Sequence, residues 1–440
     1  PLPIPVMLQS NVNLIAQETN HQLFVGRFPQ VLGYQSGSIL GPCIVVEQDQ
    51  LLNVLVQNNL PISTNVHFHG ILSPSNMDGH PMDVIEPGAN KSYQIQIKQR
   101  AGTYWYHPHP DQNTAKQVHL GLGGFLLVRD NEEASLHLPM DDREIPLIIQ
   151  DKHVKSNGDL SYHPTMNESM TGFFGEYICA NGAYSPFLSV KTAIYRFRIV
   201  NGSNARIYQL ELSNQAAFVI IGNDGGLLSE SKVVSSILLA PGERVDVLIS
   251  FKNNQLHDEL FLNSQVFSGD QNQGNESFSI LKFKINETIT DSFQIPSSLS
   301  VIPPLDQNTA IQTRHFLLAQ SMGMNSSGMS HTINGATFDS TRIDFTVNAE
   351  STEIWEFDNS MGTESHPMHV HGVQFQILDR NGGRNVVMES EKGWKDTVLV
   401  MPNEKVRIIL KFGTEKGTYI LHCHNLEHED GGMMAQYNVN

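Results

Sequence analysis

The chain is short of cysteine, of charge and of long apolar runs, and each shortage removes a class of protein. Three cysteines, Cys43, Cys179 and Cys423, among 440 residues cannot build a disulfide framework. Cys43 and Cys179 lie in different thirds of the sequence and are expected as small buried hydrophobes. Only 17% of residues are charged, and the formal net charge of -17 comes with no basic block. That balance excludes a nucleic-acid partner and repels anionic substrates, while metal cations and neutral or cationic organic molecules stay admissible. No apolar run is long enough to cross a bilayer, so no membrane span is expected. The sequence opens on Pro1-Leu2-Pro3-Ile4-Pro5 without the charged and apolar regions of a signal peptide. The expectation is a leader already removed, which by itself does not locate the protein.

What is present is repetition. A proline followed by an alternating strand occurs three times, as Pro87-Gly-Ala-Asn-Lys-Ser-Tyr-Gln-Ile-Gln-Ile97, Pro241-Gly-Glu-Arg-Val-Asp-Val-Leu-Ile-Ser-Phe251 and Pro402-Asn-Glu-Lys-Val-Arg-Ile-Ile-Leu-Lys-Phe412. The copies lie roughly 150 to 160 residues apart, one domain length. Two more repeats join the first and last thirds: Gly102-Thr-Tyr-Trp-Tyr-His107-Pro-His109 with Gly417-Thr-Tyr-Ile-Leu-His422-Cys-His424, and His67-Phe-His69-Gly70 with His369-Val-His371-Gly372. The middle copy has no His-x-His. Short segments rich in Val, Ile, Leu, Tyr and Phe, punctuated by Gly, Pro and Asn, read as strands. The fold class is therefore all-β, in three Greek-key β-sandwich domains over 1–138, 139–300 and 301–440. Ser, Pro, Asn and acidic residues cluster near 131–143 and 288–309, where the boundaries look softest, and Ser321 to Met329 reads as an exposed flexible loop.

The chemistry concentrates near the end, in Leu421-His422-Cys423-His424-Asn-Leu-Glu-His428-Glu-Asp-Gly-Gly-Met433-Met434. In an extended strand successive side chains face opposite ways, so His422 and His424 point to one side and Cys423 to the other. A thiolate, an imidazole five residues on and a thioether ten residues on are the soft and borderline donors of a blue-copper electron-transfer centre. His366, three residues before His369 and followed by Pro367, completes that set if the chain turns it toward Cys423. The mononuclear ligands are then Cys423, His366, His428 and an axial Met433, with Met434 as packing. Four His-x-His pairs, His67/His69, His107/His109, His369/His371 and His422/His424, each put two imidazoles on one strand face. One pair alone is more often an accident of surface or core. Four at equivalent points of two repeats imply that the first and third domains face each other across a shared multinuclear site, with the middle domain as spacer and wall.

These motifs, together with the Leu-Pro-Ile-Pro opening, Tyr34-Gln-Ser-Gly-Ser-Ile-Leu-Gly-Pro42, Asp224-Gly-Gly-Leu-Leu and Gly393-Trp-Lys-Asp-Thr-Val398, run along nearly the whole chain. The sequence resembles a three-domain multicopper oxidase built of cupredoxin-like domains, and is most similar to the bacterial copper-efflux oxidase (CueO-like) branch. The resemblance implies about four copper ions, one type 1, one type 2 and two type 3. It gives His67 and His369 to the type 2 ion, and His69, His107, His109, His371, His422 and His424 to the type 3 pair. It implies one-electron oxidation of a donor at the type 1 site coupled to four-electron reduction of O2 to water. Asp78 and Glu429 match the acidic positions the family uses for proton delivery; on residues alone they read as a turn Asp and a solvated loop Glu. Asp396 reads as a hydrogen-bond acceptor behind a ligand.

The substrate is less constrained. The copper-efflux branch carries a long methionine-rich insertion; here the matching segment is short and keeps Met322, Met324 and Met329 with His331, thioethers that suit Cu(I). Where that branch has an Asp and a Met before the His366 position, this chain has Met361-Gly-Thr-Glu364-Ser. Glu364 reads both as a contact for ferrous ion, a phenol or an amine and as a plain exposed loop residue. The expected donors are phenols, aromatic amines, Cu(I) and Fe(II). The alternative is a copper-binding or copper-tolerance protein whose role is metal handling, which would take up no oxygen with a phenolic donor. His80, His119, His153, His163 and His257 are assigned to surface or core.

Overall fold

A computed structural model describes residues 1–322 and 329–440, with nothing assigned to the side chains of Ser321, Met322 and Met329. Among the described residues the secondary structure is mostly strand, arranged as six sheets that pair into three sandwiches. The three Pro-led repeats each form a strand, Asn90–Gln96, Arg244–Ser250 and Glu404–Lys411. The residue after each proline has positive φ, +78° at Gly88, +82° at Gly242 and +62° at Asn403. Proline then a left-handed Gly or Asn is the signature of a type II turn, so each repeat reads as a turn and strand together.

The first and last sandwiches place their histidine strands alike. His67–His69 pairs antiparallel with Gly102–His107, setting His67 opposite His107. His366–Val370 pairs antiparallel with Gly417–Cys423, setting His369 opposite His422. In both, the residue between the histidines turns inward: Phe68 joins the core of the first sandwich, and Val370 and Cys423 that of the last. Period two thus separates apolar core from histidine face without any further device.

The sandwiches are packed on one another. Leu23, Ile39, Cys43, Trp105, Phe125, Ile148, Cys179 and Val200 form a shared cluster between the first two, and Ile207, Ala240, Leu399 and Met401 one between the last two. At roughly 1.5–3 kcal/mol for each large apolar side chain buried, such clusters fix relative positions firmly enough to hold a site built from separate sheets. Cys43 and Cys179 share that first cluster as buried free thiols.

Two expectations are corrected here. No turn is needed at Pro367: His366 lies within the regular strand His366–Val370, and an odd spacing of three sends it to the face opposite His369. Ser321, Met322 and Met329 are not loop. The strand Ala310–Met322 pairs antiparallel with Met329–Ile333 as far as Met322 opposite Met329. Met324 lies outside the described residues.

Candidate metal centres

On the core side of the Gly417–Cys423 strand, three ligand atoms form a triangle. Cys423 Sγ lies 3.5 Å from His366 Nδ1 and 3.6 Å from His428 Nδ1, and the two nitrogens are 3.3 Å apart. A point equidistant from such corners is about 2.0 Å from each, close to a metal bond to imidazole nitrogen and a little short of one to thiolate. Asn425 places His428: its side chain accepts from the backbone N–H of Glu427 and His428, opening the helix Leu426–Asp430. Met433 is buried beside Cys423, whose N–H donates to the Met433 carbonyl at 3.0 Å. Met434 begins the next strand, opposite His422. Burial pushes the Cys423 thiol up, so a thiolate there needs a cation to hold it.

On the other side, the eight imidazoles of the four pairs converge from two sandwiches and are all buried. His422 Nε2 lies 3.1 Å from His371 Nε2 and 3.2 Å from His109 Nε2, and His67 Nε2 is 3.4 Å from His369 Nε2. Outer nitrogens are held by the protein. His67 Nδ1–H donates to the Asp78 carbonyl (2.6 Å), His107 Nδ1–H to that of Pro108 (2.9 Å) and His369 Nδ1–H to that of Asp396 (2.9 Å). His371 Nδ1–H donates to Asp78 Oδ2 (2.7 Å), and His69 Nε2–H to Asp396 Oδ1 (3.0 Å). Each such bond fixes the tautomer and leaves the other nitrogen as a lone-pair donor facing inward.

Copper fits this arrangement. The inward nitrogens His69 Nδ1 and His107 Nε2, and both nitrogens of His424, are buried without any hydrogen-bond partner. Such orphans are rare in folded proteins unless an ion or water completes them. Burial, with the neighbouring imidazoles, lowers His67, His69, His109, His369, His371 and His424 far below the ordinary histidine range, and His107 to about 3. Neutral imidazoles are the form that binds metal. A cysteine with two histidines on one face, and imidazoles alone on the other, is a donor chemistry that suits copper.

Three family models, each described as multicopper oxidase, match residues 17–133, 149–280 and 310–440. The multicopper oxidase mco of Staphylococcus haemolyticus is 35% identical over 98% of this chain and 88% of its own length. The chain belongs to the multicopper oxidase family. The laccase of Bacillus subtilis is 31% identical across 100% of this chain and 97% of its own. The crystal structure of McoA, a multicopper oxidase of Aquifex aeolicus, superposes with a TM-score of 0.91 at 35% identity, covering 100% of this chain and 99% of that one. The fold is accordingly three cupredoxin-like sandwiches, and this multicopper oxidase is an oxidoreductase that binds copper and uses O2.

The acidic residues of the oxidase sit differently from their sequence readings. Asp78 keeps its turn but is no surface residue: it is buried, accepts from His371 and from Ser73 Oγ (3.1 Å), and burial pushes its carboxyl up to about 7 against the Ser73 bond. Glu429 is no solvated loop residue either; its oxygens lie 3.1 Å from His422 Nδ1 and 3.4 Å from His109 Nδ1. Glu364 is only 6% exposed and lies 2.5 Å from His331 Nε2, whose ring stacks on His428 at 3.7 Å between centroids. Sequence reasoning gave no role to Arg244, which grips Asp396, nor to the helix Met166–Thr171 of the middle sandwich, whose Met170 carbonyl accepts from His428 Nε2 at 2.8 Å. The signal for Arg244 was its place in the one Pro-led repeat without histidine pairs.

Proposed function

We propose that Cys423, His366, His428 and Met433 hold a type 1 copper, His67 and His369 a type 2 copper, and His69, His107, His109, His371, His422 and His424 a type 3 pair, about four ions in all. The division into domains at 1–138, 139–300 and 301–440 belongs to the same proposal, supported by sheets that keep their strands within those ranges. Bound there, copper supplies the one-electron redox chemistry that couples oxidation of a donor to reduction of O2 to water. The carrying observation is that one strand, Gly417–Cys423, continuing to His424, presents its cysteine to one ligand set and its two histidines to the other. Adjacent residues thereby join both sets by covalent bonds, with no solvent between them.

Making water consumes protons, and Asp78 and Glu429 are carboxylates beside ligand imidazoles that, among the described residues, no guanidinium holds, unlike Asp396. Asp78, which accepts from His371 Nδ1–H, and Glu429, beside His422, would relay protons toward the cluster. Donors are phenols, aromatic amines or the low-valent ions Cu(I) and Fe(II). Glu364 and His331, packed against His428, are the groups next to the type 1 set that would meet a cationic donor; the thioethers of Met322, Met324 and Met329 are proposed from the sequence alone as further Cu(I) contacts. A periplasmic or secreted monomer is part of this reading. Steady-state rates on Cu(I), Fe(II) and a methoxyphenol, for the parent and Glu364→Ala, test it. Loss of metal-ion oxidation with phenol oxidation retained supports the Glu364 role; equal effects on all three remove it. Absence of oxygen uptake with every donor would favour metal handling instead.

A further inference from the structure

The sandwich that supplies no histidine reaches the imidazole cluster through the turn that opens one strand, once directly and once by way of Asp396. Gly242 packs so closely that a Cβ there would lie 2.8 Å from the ring of His424. Two residues on, Arg244 is fully buried with all five N–H donors used. Nε donates to Thr103 O (3.0 Å), Nη1 to Gly242 O (3.0 Å) and Asp396 Oδ1 (2.6 Å), and Nη2 to Asp224 O (2.9 Å) and Asp396 Oδ2 (2.5 Å). Asp396 in turn accepts from His69 Nε2 through its side chain and from His369 Nδ1 through its carbonyl. One residue so engaged orients an imidazole from each outer sandwich. The matching positions of the other two repeats are Asn90 and Lys405, so the guanidinium is particular to the copy without histidine pairs.

We propose that Arg244 is a positioning residue of the copper cluster, pinning the Asp396 carboxylate so that His69 keeps its proton on Nε2 and presents Nδ1 to the metal. The inference rests on the ligand assignment above. A carboxylate held by a two-pronged guanidinium cannot swing, whereas a lysine ammonium is a point charge and leaves it free to rotate. The mononuclear site shares no ligand with this network, so its colour serves as an internal control.

The test uses copper-loaded full-length protein, as parent, Arg244→Gln and Arg244→Lys, with copper titration, the blue absorption band and the type 2 electron paramagnetic resonance signal. Both variants are expected to keep the blue band while the cluster loses roughly 10- to 100-fold in copper affinity and the type 2 signal shifts. Arg244→Lys, which retains the charge, should still show the shift. If both variants bind copper fully with an unchanged type 2 signal, Arg244 positions nothing. If both lose the blue band along with the cluster, its role is general structural support and the proposal is wrong. A parent protein without blue band or type 2 signal would instead sink the ligand assignment itself.

Discussion

Gly70 shows how tightly a single residue is fitted behind the histidines. Its φ is +84°, and a Cβ would stand 2.4 Å from Asp396 Oδ2 and 2.7 Å from Arg244 Nη2. Gly70→Ala should therefore cost at least about 1–3 kcal/mol from backbone strain alone. It should also disturb the pair that holds His69; a thermal melt equal to the parent's would contradict this. The glycine of His-x-His-Gly was visible in the sequence, but its reason was not. The atoms it makes room for belong to residues 174 and 326 positions further along. Glu364 illustrates the same limit, since nothing local in Gly-Thr-Glu-Ser tells that His331 will cover it. The histidine pairs were legible because their information is local: alternation along one strand decides which way each ring points.

At the scale of elements, alternation did more than expected. His366 needed no special turn, because a strand of five residues carries His366 on one face and His369 on the other. Elements that join sandwiches were harder to read. The helix Thr114–Leu120 is capped from afar: Asp430, in the last sandwich, accepts from the N–H groups of Thr114 and Ala115, both at 3.0 Å. Helix starts leave N–H groups without partners inside the helix, and a carboxylate also suits the local dipole. Asp430→Ala is expected to lower stability by about 0.5–2 kcal/mol, measured by denaturant titration. A smaller effect than that of an exposed surface substitution would show that the cap contributes nothing. Asn113, the residue where a local cap would be sought, makes no such bond through its side chain.

Across the whole molecule, the first two sandwiches are joined by a buried charge network. Arg198 donates to Glu133 and Glu144 (both 2.6 Å), to Asp246 (3.0 Å) and to Thr103 (3.1 Å). Burial raises the Glu133 carboxyl, but the Arg198, Arg196 and Arg129 guanidinia outweigh it and hold Glu133 down to about 2. A carboxylate depressed on folding stabilises above its unfolded value, near 4.5, and that contribution is lost as pH falls toward about 2. Glu133→Gln should be less stable than the parent at neutral pH and lose less on acidification through that window. Parallel stability curves for the two proteins would refute the network's role.

The central claim is that one strand serves two copper sites from opposite faces, and Cys423→Ser tests it most directly. Metal analysis beside the blue absorption band and the type 2 signal should find about four coppers in the parent and about three in the variant, with the blue band gone and the type 2 signal intact. A variant that keeps the blue band, or a parent holding one or two coppers, would contradict the account.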